Sequence, residues 1–130
     1  MTLYLLIALG GALGSVSRFA MSGLVANQIG ETFPWGTLVV NVLGSFLISF
    51  FATLTGPDGR ILVGSGGRMF FMTGVMGGFT TFSSFSLQTL ALMRDGDWFR
   101  AGGNVLGSVI VCIVAAWLGH LLAFSLNSSR

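Results

Sequence analysis

The chain has 130 residues, of which 53% are hydrophobic and only 8% are charged, and its mean hydropathy is +0.88. Soluble domains have roughly 25% charged residues, so this chain cannot cover itself with a water-facing surface and we expect lipid to surround it. The net charge of +2 comes from scattered arginines without a basic cluster, which argues against nucleic-acid binding. The single cysteine, Cys112, lies in an apolar run and is expected to be a small buried residue.

Stretches without charged side chains predict the membrane-spanning helices, since a helix needs about 20 residues to cross a bilayer. The first predicted span has one exception, Arg18. The connections are short and carry the remaining charges, so the sequence predicts one transmembrane domain over residues 1–130 of an all-α membrane protein. The four predicted spans are residues 1–25, 32–57 with an apolar core from Thr37 to Leu54, 69–93 and 101–129.

Four crossings would place both termini on one side of the membrane, and the arginines then divide equally between the two sides. Orientation is normally set by an excess of basic residues in the cytoplasmic loops. An equal count leaves two interpretations open: a few dominant charges fix one orientation, or the chain inserts both ways and forms an antiparallel homodimer. The two groups are Arg60, Arg68 and Arg130 on one side, and Arg18, Arg94 and Arg100 on the other.

Glycine is abundant, with 20 residues, and many glycines lie inside the predicted spans. Small residues four apart allow membrane helices to approach closely, where no hydrophobic effect drives them together. Three pairs have the GxxxG spacing and are expected to be packing surfaces: Gly10 with Gly14, Gly74 with Gly78, and Gly103 with Gly107.

The second span has a polar side chain at every fourth position, which places them along one side of a helix. The five residues are Thr37, Asn41, Ser45, Ser49 and Thr53. The hydroxyls alone are weak signals, because they often bond to their own helix backbone. Asn41 is stronger, because an amide in hydrocarbon needs partners or a polar path. Interhelical hydrogen bonding and a polar pathway both remain open for Asn41.

The middle of the third span combines poor helix formers with alternating aromatic and hydroxyl side chains. The glycines at 77 and 78, followed by Thr80 and Thr81, predict a break in the helix at mid-membrane. Broken helices are tolerated at that depth only where the freed backbone is buried or binds a ligand. The alternating residues beyond the break are Phe79, Phe82 and Phe85 with Ser83, Ser84 and Ser86.

Ionisable residues inside the spans are few. Arg18 either extends to the membrane interface or attracts an anion toward a polar vestibule. His120 is expected to be interfacial, and Asn104 and Ser108 are expected to bond to a neighbouring helix. No span contains Asp or Glu, and no nucleophile–base pair or metal-ligand cluster is apparent, so an enzyme is not expected.

Taken together, these motifs closely resemble the small fluoride channel family, Fluc, over essentially the whole chain. The specific motifs are Pro34-Trp35-Gly36-Thr37-Leu38-Val39-Val40-Asn41 and Gly77-Gly78-Phe79-Thr80-Thr81-Phe82-Ser83-Ser84-Phe85-Ser86, preceded by the glycine-rich first span that leads to Arg18. Family members often carry Glu where this chain has Gln88.

The resemblance implies a cell-membrane (inner-membrane) channel: an antiparallel homodimer with two pathways that export fluoride passively down its gradient. Asn41, Phe82 and Phe85 would face fluoride, and Ser83, Ser86 and Thr37 would form a polar track. The backbone carbonyls of Gly77 and Thr80 would hold a structural Na⁺ at the dimer centre. A donor-lined path suits fluoride, because amides and hydroxyls can replace the hydrogen bonds of its water and phenyl edges are electropositive.

Two other functions compete with this one. A small multidrug antiporter also has four short helices, but it needs a carboxylate inside the membrane, which the predicted spans lack. An accessory membrane subunit would explain the glycines, but not the polar stripe of the second span together with the Phe–Ser block.

Overall fold

The computed structural model describes residues 1–129, and within that range every regular element is helical. The long helices are α1 (Thr2–Ile29), α2 (Trp35–Leu54) and α6 (Trp98–Ser128). The chain between α2 and α6 forms α3 (Ser65–Arg68), a π-helix (Met69–Met76), α4 (Gly77–Phe79) and α5 (Phe82–Arg94). Long helices therefore occupy the first, second and fourth predicted spans, and the segment predicted as the third span is divided among shorter elements.

The three long helices are each long and apolar enough to cross a membrane. In a single chain they remain largely uncovered: only 11% of the most apolar window of α1 is buried, and 17% in α2 and in α6. Large apolar side chains such as Leu13, Phe19 and Ile113 are exposed along them. Such surfaces are stable only in contact with lipid or another protein, which agrees with an integral membrane protein.

Glycine, proline and aspartate set the ends of the helices. Gly30 ends α1 with a φ of 102°, a conformation that favours glycine, and Pro34 immediately precedes α2. Gly96, with a φ of 78°, turns the chain after α5. The Asp97 carboxylate then caps α6 by accepting the backbone N–H of Arg100 at 3.2 Å, and it also pairs with the Arg100 guanidinium at 3.0 Å.

Glycines bring α1 into backbone contact with the π-helix and α4. A Cβ added at Gly78 would lie 2.5 Å from the carbonyl oxygen of Gly11, and one added at Gly14 would overlap the carbonyl of Val75. The first two predicted GxxxG pairs therefore pack against each other. The third pair, Gly103 and Gly107, faces open space within the single chain.

Helix α6 packs along α2, where polar side chains join their ends. His120 Nδ1 and Thr53 Oγ1 are hydrogen-bonded at 2.9 Å, and Asn127 Nδ2 donates to the Thr53 carbonyl at 3.1 Å. The Arg68 guanidinium donates to the Thr55 carbonyl at 2.8 Å and also contacts the Thr55 hydroxyl, which closes the C-terminal end of α2. His120 thus has a structural hydrogen-bond partner.

A second polar contact joins α5 to α6. Asn104 Nδ2 donates to Thr89 Oγ1 at 2.9 Å, and both residues are buried. The predicted bond between Asn104 and a neighbouring helix is therefore confirmed. Ser108 instead donates to Asn104 Oδ1 at 3.3 Å, within its own helix.

Candidate functional site

The chain is extended over two residues between α4 and α5. Thr80 has φ/ψ of −81°/156° and Thr81 has −151°/114°, so both lie in the β region. The helical break was predicted near this point, although Gly77 and Gly78 themselves are helical in α4. Thr81 begins α5, because its hydroxyl oxygen accepts the backbone N–H of Ser84 at 3.2 Å.

Asn41 of α2 supplies the hydrogen bonds that the break would otherwise lose. Its Oδ1 accepts the backbone N–H of Thr81 at 2.7 Å, and its Nδ2 donates to the carbonyl oxygen of Thr81 at 3.0 Å. This reciprocal pair satisfies both backbone groups of one residue. Of the two interpretations from the sequence, interhelical hydrogen bonding by Asn41 is present. The side-chain amide of Asn41 has two N–H groups, and Thr81 uses one of them, so the other remains available.

A wide cavity of about 950 Å³ lies beside the connection 30–34 and is called the vestibule below. Its wall includes the predicted residues Arg18 and Thr37. Charged groups of both signs line it, because Glu31 and Asp95 join Arg18 there. Its other polar lining includes Ser15, Ser22, Ser84 and Gln88.

A smaller cavity of about 430 Å³ also has Thr81 in its wall and is called the inner cavity below. Its wall includes Asn41 and both predicted phenylalanines, Phe82 and Phe85. The remaining lining has four hydroxyl side chains, three aliphatic side chains and one thiol: Ser45, Thr80, Thr81, Ser108, Ile48, Val109, Ile113 and Cys112.

The two phenylalanines differ in how far the single chain covers them. Their ring centroids are 5.3 Å apart with the planes tilted by 49°. Phe85 is buried at 9% exposure, whereas Phe82 is 78% exposed. An exposed ring this large at the wall of a cavity is expected to contact lipid or another protein.

The other predicted pathway residues do not all line a cavity. Thr37 is buried in the vestibule wall. Ser83 is exposed and its hydroxyl lies 3.3 Å from the Thr81 hydroxyl, while Ser86 is exposed and donates to the carbonyl of Phe82 at 2.9 Å. Neither serine lines the vestibule or the inner cavity, so their place in a pathway stays a prediction.

The two predicted cation-binding residues flank the break. The helical partner of the Gly77 carbonyl would be the Thr81 N–H, but that N–H donates to Asn41. The helical partner of the Thr80 carbonyl would be the Ser84 N–H, but that N–H donates to the Thr81 hydroxyl. Neither carbonyl therefore has its usual helical donor, and oxygens of this kind suit a hard cation. Within residues 1–129 there is no group of three or more His, Cys, Asp or Glu side chains arranged to hold a metal.

Three further residues had no assigned role from the sequence. Gln88 Oε1 is buried in the vestibule wall without a hydrogen-bond partner among the described residues. Cys112, expected to be buried, is half-buried and lines the inner cavity. His120 lies between the rings of Trp117 and Phe124, away from both cavities.

Sequence reasoning missed the importance of Thr81, which lines both cavities and which Asn41 holds. A usable signal was present, because a Thr three residues before Ser84 has the spacing of a helix N-cap. Ser108 was also assigned only to helix packing, although it lines the inner cavity.

Long apolar helices, with two cavities whose walls include polar side chains, are features of a membrane transport protein. The profile of the family described as "CrcB-like protein, Camphor Resistance (CrcB)" matches residues 5–120. The chain belongs to this CrcB/Fluc family, which confirms the resemblance seen in the sequence. The family consists of ion channels, so the expectation that the chain is not an enzyme is also confirmed.

Relatives match over nearly the full chain. A protein of Opitutus terrae is 76% identical over 130 residues, covering 100% of this chain and 98% of the relative. A protein of Paramagnetospirillum magneticum is 58% identical, covering 98% of this chain and 99% of the relative. A protein of Methylocella silvestris is 57% identical, covering 98% and 97%. All three are named fluoride-specific ion channel FluC.

Proposed function

We propose that this protein is a fluoride-specific ion channel of the cell (inner) membrane that exports cytoplasmic fluoride passively down its electrochemical gradient. The observation that carries the proposal is the 76% identity, over the full chain, to a relative named a fluoride-specific ion channel. The lack of Asp and Glu in the helices of the described residues argues against the alternative, a proton-coupled multidrug antiporter.

Fluoride would pass from the vestibule to the inner cavity and exchange its water for protein donors on the way. Arg18 would attract the anion, and the Thr37 hydroxyl and the free N–H of Asn41 would bind it in turn. Phe82 and Phe85 would offer their electropositive ring edges in the inner cavity. Ser83 and Ser86 would continue the polar track beyond the vestibule. Neutral donors suit conduction, because binding that is too strong would stop the ion from leaving.

The working channel would be an antiparallel homodimer with two pathways. In each protomer α3, the π-helix, α4 and α5 would together form the third of four crossings, broken at Thr80–Thr81. Two observations support a second copy: Phe82 is 78% exposed at the wall of the inner cavity, and arginines are divided equally between the two sides. An equal division removes the bias that would fix one orientation.

A structural Na⁺ at the dimer centre would bind the carbonyl oxygens of Gly77 and Thr80. The diversion of the Thr81 and Ser84 N–H groups to other acceptors supports this assignment, because it leaves the two carbonyls available. Unwound carbonyls at a broken helix are a known way to hold Na⁺ in a membrane. A twofold axis would supply two oxygens from each chain, and such an ion would not permeate.

Fluoride efflux from liposomes that contain only the purified protein tests the function. We expect rapid, voltage-driven loss of trapped fluoride and much slower loss of chloride from the same vesicles. Protein-free liposomes are the control. If the protein-containing liposomes retain fluoride to the same extent as the protein-free vesicles, the proposal is contradicted. Fluoride efflux that requires an opposing proton gradient would instead support an antiporter.

A further inference from the structure

The vestibule and the inner cavity have one lining residue in common, Thr81. Thr81 is 8% exposed, so little of its surface is free in either cavity. A solute that moved directly from one cavity to the other would pass close to this residue.

Thr81 is held rigidly in that place. Asn41 binds both its backbone N–H and its carbonyl, and its hydroxyl oxygen accepts the Ser84 N–H at 3.2 Å while lying 3.3 Å from the Ser83 hydroxyl. A rotation of the Thr81 side chain away from the boundary would break the cap of α5. Unpaired buried polar groups cost about 1–3 kcal/mol each, so the closed arrangement is strongly preferred.

The surroundings change sharply across Thr81. The vestibule has charged and polar walls with room for water, whereas the inner cavity is less than half its size, has no charged side chain in its wall and includes large apolar side chains such as Ile48, Val109 and Ile113. An ion that crosses this boundary must leave most of its water behind, which is costly for a small anion unless donors replace that water.

We infer that Thr81, held by the two hydrogen bonds with Asn41, is the partition between the two cavities and a specificity-determining residue. Its side chain sets the width of the passage at which an anion loses its water. This inference rests on the proposed function for the identity of the ion. Asn41 then positions Thr81, in addition to offering a hydrogen-bond donor to the ion in the inner cavity.

Cys112 in the inner cavity provides a native probe of this partition, since the chain has one cysteine. Silver ion is small, charged and excluded from lipid, and it reacts with thiols. The full-length protein in liposomes is treated with silver nitrate in chloride-free buffer, and the remaining thiol is counted with a maleimide after denaturation. We expect slow loss of the Cys112 thiol in the natural protein.

Two variants widen the passage. Thr81→Ser keeps the hydroxyl that caps α5 and removes one methyl group, and Thr81→Ala removes both. We expect Cys112 to react about tenfold faster in Thr81→Ser, which corresponds to about 1.4 kcal/mol of barrier, and faster still in Thr81→Ala. Ser22→Ala, which alters the vestibule alone, is the matched control and is expected to react at the natural rate.

The remaining outcomes overturn the inference. Fast reaction in the natural protein would mean that no partition protects Cys112. Slow reaction in both Thr81 variants would place the barrier elsewhere, and equal acceleration in Ser22→Ala would indicate general loosening. Because silver labelling needs no fluoride flux, its result is independent of the efflux experiment and separates failure of the partition from failure of the channel function.

Discussion

Asn41 acts on the backbone of Thr81 as well as on the proposed path, so its replacement has two separable effects. Asn41→Leu keeps a similar volume but leaves the N–H and the carbonyl of Thr81 without their partners. We expect fluoride efflux to be abolished and the folded state to lose about 1–3 kcal/mol for each group left unpaired. Liposome efflux and thermal unfolding in detergent measure the two effects.

Asn127→Leu is the matched control for this change. Asn127 also binds two backbone groups, by donating to the carbonyl of Thr53 and accepting the N–H of Arg60, and it lies on neither cavity. We expect its replacement to lower stability while fluoride efflux per folded protein persists. Equal loss of efflux in both variants would show that Asn41 matters for stability alone.

Arg18 is the cation in the wall of the vestibule, where Glu31 and Asp95 are the anions. Arg18→Gln removes the one positive charge and takes the formal charge of that wall from −1 to −2, which increases the repulsion of an approaching anion. We expect fluoride efflux to fall by about threefold or more at low ionic strength, with a smaller deficit in high salt, because salt screens exposed charges. Arg94→Gln, outside both cavities, should have little effect; a deficit of equal size there would assign the loss to overall charge.

At the scale of the helices, Gly14 tests the contact between α1 and the π-helix. A Cβ at Gly14 would overlap the Val75 carbonyl, and backbone atoms cannot move aside cheaply. We expect Gly14→Ala to destabilise the protein by about 1–3 kcal/mol, seen as a lower melting temperature in detergent. Gly11→Ala, where an added Cβ meets nothing within 4 Å, should melt near the natural temperature. Similar melting of the two variants would contradict the close backbone contact.

The positions of the three long helices, and a helix interruption near residues 77–81, could be predicted from the sequence, because charge-free length and runs of poor helix formers are local properties. That this interruption breaks a third membrane crossing stays a prediction. The exact residues of the interruption could not be predicted. Gly77 and Gly78 remain helical and the chain departs only at Thr80, because Asn41, about 40 positions away, offers hydrogen bonds to Thr81 and not to the glycines. The π-helix at 69–76 has no local signal either, and it packs closely against the glycines of α1.

At the scale of the whole molecule, the proposed dual topology has a direct consequence for cysteine labelling. In a Cys112→Ser background, a single cysteine is placed either in the connection 55–64 or at exposed Asp95 between α5 and α6. If the chain inserts both ways, each cysteine in intact vesicles should be labelled to about half by a membrane-impermeant maleimide and completely after permeabilisation, because no basic excess selects one orientation. If just one of the two positions is labelled in intact vesicles, the antiparallel dimer is rejected.

The proposed Na⁺ connects the break in one chain to the assembly of two. If Na⁺ binds the dimer but not separate chains, it stabilises the dimer by RT ln(1 + [Na⁺]/Kd), or about 2.7 kcal/mol at a hundredfold excess over Kd. Replacing Na⁺ with the bulky cation N-methyl-D-glucamine should therefore lower the melting temperature and favour monomers. Gly77→Val should remove this response, because it adds a branched side chain at the proposed dimer centre. Within a single chain the added side chain is not obstructed, since a Cβ at Gly77 would meet only the Met72 carbonyl, at 3.9 Å. Gly103→Val, also unobstructed within one chain, should retain the response. Equal melting of the natural protein in both cations would eliminate the sodium site.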